Sequence, residues 1–157
     1  MARRPAATWL ALRMLAWSIV LPVLKYVVPL PSLARLMWSG PHTERRPDRE
    51  QLVTLLARRI SRLRPGRHRD NCLERSLLSY RFLSMENADP HVVVGVRKSG
   101  DDIVGHAWVT VDGKPLYDAP SSLEQYVTLA DFNRGGWARL TDGPLRSTLF
   151  RGGSKPR

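Results

Sequence analysis

The spacing of apolar residues changes near residue 90, and this change is the strongest constraint on the fold. Before it, apolar residues recur at helical intervals. One set is predicted to line a single face of a helix: Leu52, Leu55, Leu56, Ile60 and Leu63. After it, residues 91–97 are rich in valine and residues 103–111 alternate between two faces, as strands do. Helices followed by a small antiparallel sheet predict an α+β fold.

Proline, glycine and capping residues divide the chain further. A first helix is predicted over residues 8–21, ending near Pro22, and a second apolar piece runs to Trp38. The next helix is predicted to begin at Asp48, with Gln51 as its capping-box partner. The other predicted elements are a helix from Cys72 to about Ser84, a third strand at Leu116–Asp118, a short helix from Ser121 and a strand-like piece in 133–140.

Positive charge is concentrated in the first half of the chain. The net charge is +11, and residues 1–70 carry 14 Lys and Arg against 4 Asp and Glu. This excess indicates either a surface for an acidic partner or a solvated face. We predict a single domain over residues 1–150, with a helical part at 1–65, a catalytic core at 66–150 and a flexible tail at 151–157.

The apolar N-terminal segment raises the question of a membrane. Its longest uncharged run, Met14–Leu24, has 11 residues, whereas a spanning helix needs about 20. Arg13, Lys25 and Pro22 interrupt the segment. We therefore predict one or two short buried helices, with a helix lying on a membrane surface as the alternative.

Cys72 is the only cysteine, which excludes an internal disulfide and fits a reducing cytoplasm. It is predicted to follow an N-cap at Asn71, with Glu74 completing a capping box. Its sulfur would then lie among unpaired N–H groups at the positive end of the helix dipole. That position, with Arg69 and Arg75 nearby, favours the nucleophilic thiolate. An inert structural cysteine is the alternative.

A thiolate enzyme needs a base, which is most often histidine. His42 and His68 lie in arginine-rich loops, and His91 begins a strand. His106 lies within a strand between two small residues and shares its face with Trp108, which could shield it from water. His106 is therefore the candidate base, and a buried strand histidine with a satisfied hydrogen bond is the alternative.

The acid that would orient His106 depends on the turn at Asp112-Gly113. A two-residue turn pairs Val111 with Lys114 and places Asp118 on the wrong face of the hairpin. A three-residue loop instead places His106 directly opposite Asp118, where the two side chains can share a hydrogen bond. A triad of Cys72, His106 and Asp118 therefore predicts the three-residue loop.

Several other kinds of site lack their sequence signatures. One cysteine and scattered histidines give no metal-ligand spacing, so we expect no metal. The chain has no glycine-rich phosphate loop and no paired acids of the glycosidase kind. Aromatic residues do not alternate with the basic runs as binding of single-stranded nucleic acid would require, so we expect no nucleic-acid partner.

Four stretches together resemble a known family. Cys-Leu-Glu-Arg-Ser-Leu (72–77), Val-Gly-Val-Arg (94–97) and His-Ala-Trp-Val (106–109), followed by Gly113 and Asp118, resemble the lasso peptide biosynthesis B2 proteins. These are transglutaminase-like cysteine proteases that remove the leader from lasso peptide precursors. The resemblance covers roughly residues 70–120. It implies a papain/transglutaminase-like core in which the nucleophile helix packs on the sheet.

The resemblance also implies a mechanism and partners. Its Cys-His-Asp triad falls on Cys72, His106 and Asp118, and it requires no cofactor. The implied partners are a lasso precursor peptide, a separate leader-binding protein (B1, the RiPP recognition element) and an ATP-dependent lasso cyclase. The apolar, basic N-terminal half is a candidate surface for the leader-binding protein. Two alternatives stay open, namely acyl transfer to an amine by the same triad, and a basic nucleic-acid or membrane-surface binder with an inert Cys72.

Overall fold

The computed structural model describes residues 4–42, 44–63 and 72–140. The helices are α1 Arg4–Val27, α2 Leu30–Met37, α3 Pro47–Leu63, α4 Cys72–Met85 and the short α5 Pro120–Leu123. The strands are β1 Pro90–Ser99, β2 Asp102–Val111, β3 Lys114–Pro115, β4 Val127–Phe132 and β5 Ala138–Leu140, with a 3₁₀ turn at Arg134–Gly136. The predicted α+β class is confirmed. The predicted division near residue 65 and the predicted tail at 151–157 fall outside the described residues and stay predictions.

All strand pairs are antiparallel, in the order β3-β2-β1-β4-β5. Helix α4 contacts α1, α2 and α3 as well as β1 and β2. It is buried along almost its whole length, through Glu74, Ser76, Leu77, Leu78, Ser79, Tyr80, Phe82, Leu83 and Ser84. Helix α4 therefore joins the N-terminal helices to the sheet in one continuous core.

The first helix is longer than predicted. Helix α1 continues through Pro22 to Val27, although proline removes one hydrogen bond within the helix. Its second half is held by tertiary contacts, because Leu21 is fully buried and Lys25 forms an ion pair with Glu74 of α4. The prediction of an end near Pro22 was wrong because these contacts outweigh the local effect of proline.

Helix α3 begins slightly earlier than predicted. Its first residue is Pro47, a favoured first position, and the carbonyl of Arg46 accepts the first helical hydrogen bonds. Asp48 therefore lies in the first turn, where its charge favours the helix dipole, and it is not the N-cap. The predicted apolar face is partly wrong, since Leu55 and Leu63 are exposed and Val53 and Ala57 are buried.

The sheet has one more strand than the sequence pattern predicted. Strands β1 and β2 match the two predicted strands to within a few residues, and β5 lies in the predicted strand-like piece. Strand β4 was not predicted, and it pairs with β1 through a register shift between Val94 and Gly95. At this shift the backbone of β4 comes so close to β1 that Gly95 has little room for a side chain.

Replacement of Gly95 by alanine should destabilise the protein. A Cβ there would lie 2.9 Å from the carbonyl oxygen of Val127 and 3.0 Å from the Trp108 ring. We expect Gly95→Ala to lower the free energy of unfolding by about 1–3 kcal/mol, measured by urea denaturation. The matched control is Gly105→Ala in β2, where a Cβ meets nothing within 4 Å. It should change stability by no more than about 0.5 kcal/mol, and equal losses in the two variants would contradict this account of Gly95.

Candidate active site

Cys72 is the first residue of α4, as predicted from the sequence. It is a free thiol and partly buried. The predicted cap at Asn71 and the predicted influence of Arg69 fall outside the described residues. Glu74 is buried in the first turn of α4, and its carboxylate lies 2.9 Å from Nζ of Lys25 in α1. This ion pair fixes the end of the helix that carries the sulfur.

The structure brings His106 of β2 to the Cys72 sulfur. Burial raises the pKa of Cys72, but hydrogen bonds with the His106 side chain and with the backbone of Ala107 outweigh it. The pKa of Cys72 is therefore lowered from its ordinary value of 9.0. Hydrogen bonds to Asp118 and to Cys72 raise the pKa of His106 to about 9, against the effect of burial. Both shifts favour a thiolate beside an imidazolium.

Asp118 contacts the imidazole ring of His106. Its Oδ1 is 3.3 Å from Nε2 of His106, which leaves Nδ1 as the ring nitrogen available to the sulfur. The hydrogen bond from His106 is the largest cause that lowers the pKa of Asp118, and the charge of Arg75 adds to it. Arg75 thus acts on the carboxylate, 3.8 Å from its Oδ2, whereas the sequence predicted that it would act on the thiol.

The hairpin register contradicts the prediction made from the triad. Val111 pairs with Lys114, and both Asp112 and Gly113 have positive φ, so the turn has two residues. In a continued ladder Asp118 would face away from His106, and the predicted strand at Leu116–Asp118 is wrong. The ladder instead ends at Pro115, with one further hydrogen bond from the Leu116 N–H to the Val109 carbonyl. Asp118 reaches His106 because the chain has left the sheet before it.

Tyr117 explains why the chain leaves the sheet at this point. Its hydroxyl lies 2.7 Å from Oγ of Ser79 in α4 and donates to the carbonyl of Thr54 in α3 at 3.3 Å. The Arg75 guanidinium stacks on its ring at 4.6 Å. The side chain is therefore anchored among the helices, and this anchor turns the next residue, Asp118, toward His106. The sequence analysis missed Tyr117, and only its position beside Asp118 could have drawn attention to it.

Two aromatic rings enclose the imidazole. Trp108, predicted to shield His106, is 6% exposed and stacks on His106 with 6.0 Å between ring centroids. Tyr126 contacts the same imidazole at 5.3 Å. Its hydroxyl accepts a hydrogen bond from Nε of Arg97 at 3.0 Å. Arg97 belongs to the Val-Gly-Val-Arg stretch, which was the only sequence signal for the Arg97–Tyr126 pair.

A second histidine in the sheet also has an acidic partner. Nδ1 of His91 lies 2.8 Å from Oδ1 of Asp131. The Cys72 thiol, however, is hydrogen-bonded to His106 and not to His91. His42 is exposed, as predicted, and His68 lies outside the described residues. Within 4–42, 44–63 and 72–140, no three His, Cys, Asp or Glu side chains are grouped so that they could hold a metal ion. The catalytic roles of Cys72, His106 and Asp118 stay a prediction.

The single cysteine makes the thiol pKa directly measurable. The rate of alkylation by iodoacetamide follows the thiolate fraction, so its inflection in wild-type protein should lie below pH 9.0. His106→Ala removes the interactions that lower the pKa and leaves the burial that raises it, so the inflection should move to higher pH. His91→Ala, which breaks the other histidine–aspartate pair, should leave it unchanged. An unchanged profile in His106→Ala would contradict the thiol–imidazole contact.

Loss of the Tyr117 hydroxyl should loosen Asp118 and so lower the pKa of His106. In Tyr117→Phe, we expect the NMR resonances of the His106 imidazole to titrate with a pKa below the wild-type value of about 9, closer to the ordinary value of 6.5. Tyr80→Phe is the control, because it also removes a hydrogen-bonded tyrosine hydroxyl, which donates to the carbonyl of Asn133 at 2.6 Å. Both variants should lose about 1 kcal/mol of stability, but only Tyr117→Phe should shift the titration. A shift of equal size in both would count against the anchor.

Comparison with known proteins identifies the family of this chain. The family model of the transglutaminase-like superfamily matches residues 11–131. The Microcin J25-processing protein McjB of Escherichia coli is 33% identical over 63 residues, which cover 40% of this chain but only 29% of that protein. No solved structure matches the chain. The two matches support the resemblance to the lasso peptide B2 proteins and confirm the transglutaminase-like class of the core. Since the family match spans most of the chain, this protein belongs to the transglutaminase-like superfamily.

Proposed function

We propose that this protein is a cysteine protease that removes the leader from a lasso peptide precursor. The observation that carries the proposal is the contact of one thiol with a histidine whose second ring nitrogen meets a carboxylate. This is the arrangement of a nucleophile, a base and an orienting acid that thiol hydrolases use. Both the lowered pKa of Cys72 and the raised pKa of His106 support it.

In the proposed reaction the Cys72 thiolate attacks the carbonyl carbon of the peptide bond between leader and core. The His106 imidazolium then donates its proton to the departing amine, which is the N-terminus of the core peptide. The leader is left on Cys72 as a thioester. Neutral His106 next takes a proton from water, whose oxygen attacks the thioester, and the leader leaves with a new carboxylate. Asp118 holds the ring so that Nδ1 faces the sulfur, and it stabilises the imidazolium.

The substrate class comes from the relative. McjB is described as processing microcin J25, a lasso peptide, and this similarity supports a role for the present protein in a lasso peptide maturation system. We propose a lasso precursor as substrate, a separate leader-binding protein as partner and the lasso cyclase as the next enzyme. We also propose that the reaction takes place in the cytoplasm, where Cys72 stays reduced.

Buried residues in the first two helices restrict how the candidate surface for the leader-binding protein can be tested. Leu21, Leu33 and Met37 in the first two helices are fully buried. Deletion of residues 1–45 would therefore remove part of the core and unfold the protein, rather than remove a surface only. Binding of the leader-binding protein is better tested by substitution of exposed residues, such as Arg58 and Arg59 on α3.

Substitution of the three residues should stop leader removal. With purified protein, precursor and leader-binding protein, Cys72→Ala and His106→Ala should each lower the cleavage rate by about a thousandfold or more, measured by mass spectrometry. Asp118→Asn should lower it by about a hundredfold or more, because the ring loses its orienting charge. The matched controls are His91→Ala and Asp131→Asn, which disrupt the other histidine–aspartate pair of the sheet.

The outcomes separate the alternatives. Cleavage by Cys72→Ala at the wild-type rate would overturn thiol catalysis. If His91→Ala lost cleavage as His106→Ala does, the effect of His106→Ala would be structural and not catalytic. Hydrolysis and acyl transfer differ in product, so the reaction is run with and without an added primary amine. A leader that ends in an amide in the presence of the amine would replace the hydrolase proposal with acyl transfer.

A further inference from the structure

The outward side of α1 is an apolar surface of unusual length. We call it the outer face, and it consists of Trp9, Leu12, Leu15, Ala16, Ile19, Val20, Val23, Tyr26 and Val27. All of these residues are exposed; the exposed fraction is 67% for Ile19, 63% for Val23 and 83% for Tyr26. Exposed apolar patches of this extent on a folded protein mark a site of contact with another molecule or a membrane.

The two charged side chains between Ala7 and Val27 do not lie on the outer face. Arg13 is half-buried and its guanidinium lies over the Phe82 ring of α4, 5.8 Å from the ring centroid. Lys25 is also half-buried and pairs with Glu74 at 2.9 Å. From the sequence, both charges were predicted to interrupt the apolar segment. In the folded protein both contact α4, and only Lys25 also borders the outer face, at its end, with Nζ 5.0 Å from the centroid of the Tyr26 ring.

The packing of α1 decides how this helix can meet a membrane. An 18-residue window within Ala7–Val27 has a mean hydropathy of 1.7, and a helix of this length could cross a bilayer. However, its opposite side is part of the core, with Met14 and Leu21 fully buried. A crossing would pull these residues out of the protein. The geometry therefore allows the helix to lie in the plane of a membrane surface with its outer face toward the acyl chains.

Charge and side-chain type indicate which occupant covers the outer face. Residues 1–70 carry a large positive excess, which suits a negatively charged lipid surface. Trp9 and Tyr26 on the outer face are of the types that favour the interface between headgroups and acyl chains, where a helix that lies flat is placed. A protein partner would instead be expected to find polar side chains among the apolar ones, because roughly two-fifths of the area of such interfaces is polar.

We propose that the outer face of α1 holds this protein in the surface of a membrane that contains anionic lipids. The helix lies flat, the outer face is buried among acyl chains, and the basic residues of the N-terminal half meet lipid phosphates. The proposal stands apart from the proposed peptidase activity, since membrane binding and cleavage are measured separately.

Flotation with phosphatidylcholine vesicles, with and without phosphatidylglycerol, tests the proposal on the full chain. We expect wild-type protein to float with the anionic vesicles, and less so at high salt because the lipid charge is then screened. Ile19→Asp and Val23→Asp should each lower the partition coefficient about tenfold or more, since an aliphatic side chain would no longer enter the acyl region. Ile103→Asp on β2 is the matched control, because Ile103 is 69% exposed and Ile19 is 67% exposed. It should float like wild type.

Other results would overturn the proposal. The first is that wild-type protein floats with neither kind of vesicle. The second is that Ile19→Asp floats as well as wild type. The third is that outer-face variants bind vesicles normally but lose binding to the purified leader-binding protein or lose self-association in sedimentation, because the outer face would then be a protein interface. Circular dichroism and urea denaturation of each variant show that it is folded, so a loss of flotation in a folded variant is a loss of membrane binding.

Discussion

The burial of α4 between the N-terminal helices and the sheet is the constraint on which the rest of the structure depends. Nearly every residue from Glu74 to Ser84 is buried. This packing holds the helix with its first residue, Cys72, against β2. At that end the Lys25–Glu74 ion pair holds α1 to the first turn of α4, and the thiol contacts His106. Stability and the proposed chemistry thus rest on the same packed helix.

The segment after the β2–β3 turn shows how that packing reaches the third residue of the site. A regular two-residue hairpin would have placed Asp118 on the wrong side of the sheet. Tyr117 inserts among α3 and α4, where it meets Ser79, Thr54 and Arg75, and the ladder stops at Pro115. The carboxylate is brought to the imidazole by a contact with helices more than thirty residues away in the chain, as the separation of 38 between Ser79 and Tyr117 shows.

Helix α1 illustrates the same dependence at the surface. Its sequence contains enough charge to argue against a membrane, and the argument fails only because α4 offers partners for both charges. With Arg13 over Phe82 and Lys25 on Glu74, the side away from α4 is left with apolar residues only between Trp9 and Val27. One helix thus contributes to the core, to the nucleophile end of α4 and to the surface that we propose meets lipid.

Local sequence patterns predicted the α+β class, the two long strands and the helix beginning at Cys72, and the motif resemblance selected Cys72, His106 and Asp118 as candidate catalytic residues. These follow from local periodicity, from turn residues and from the resemblance of short motifs, which need no knowledge of distant contacts. The tertiary structure decided where the chain leaves the sheet after Pro115, and it decided the position of Tyr117. It also decided the continuation of α1 through Pro22, the pairing of β4 and the uncharged outer face of α1. Each of these depends on side chains far apart in the chain, whose packing energy exceeds the local preferences that a sequence pattern reports.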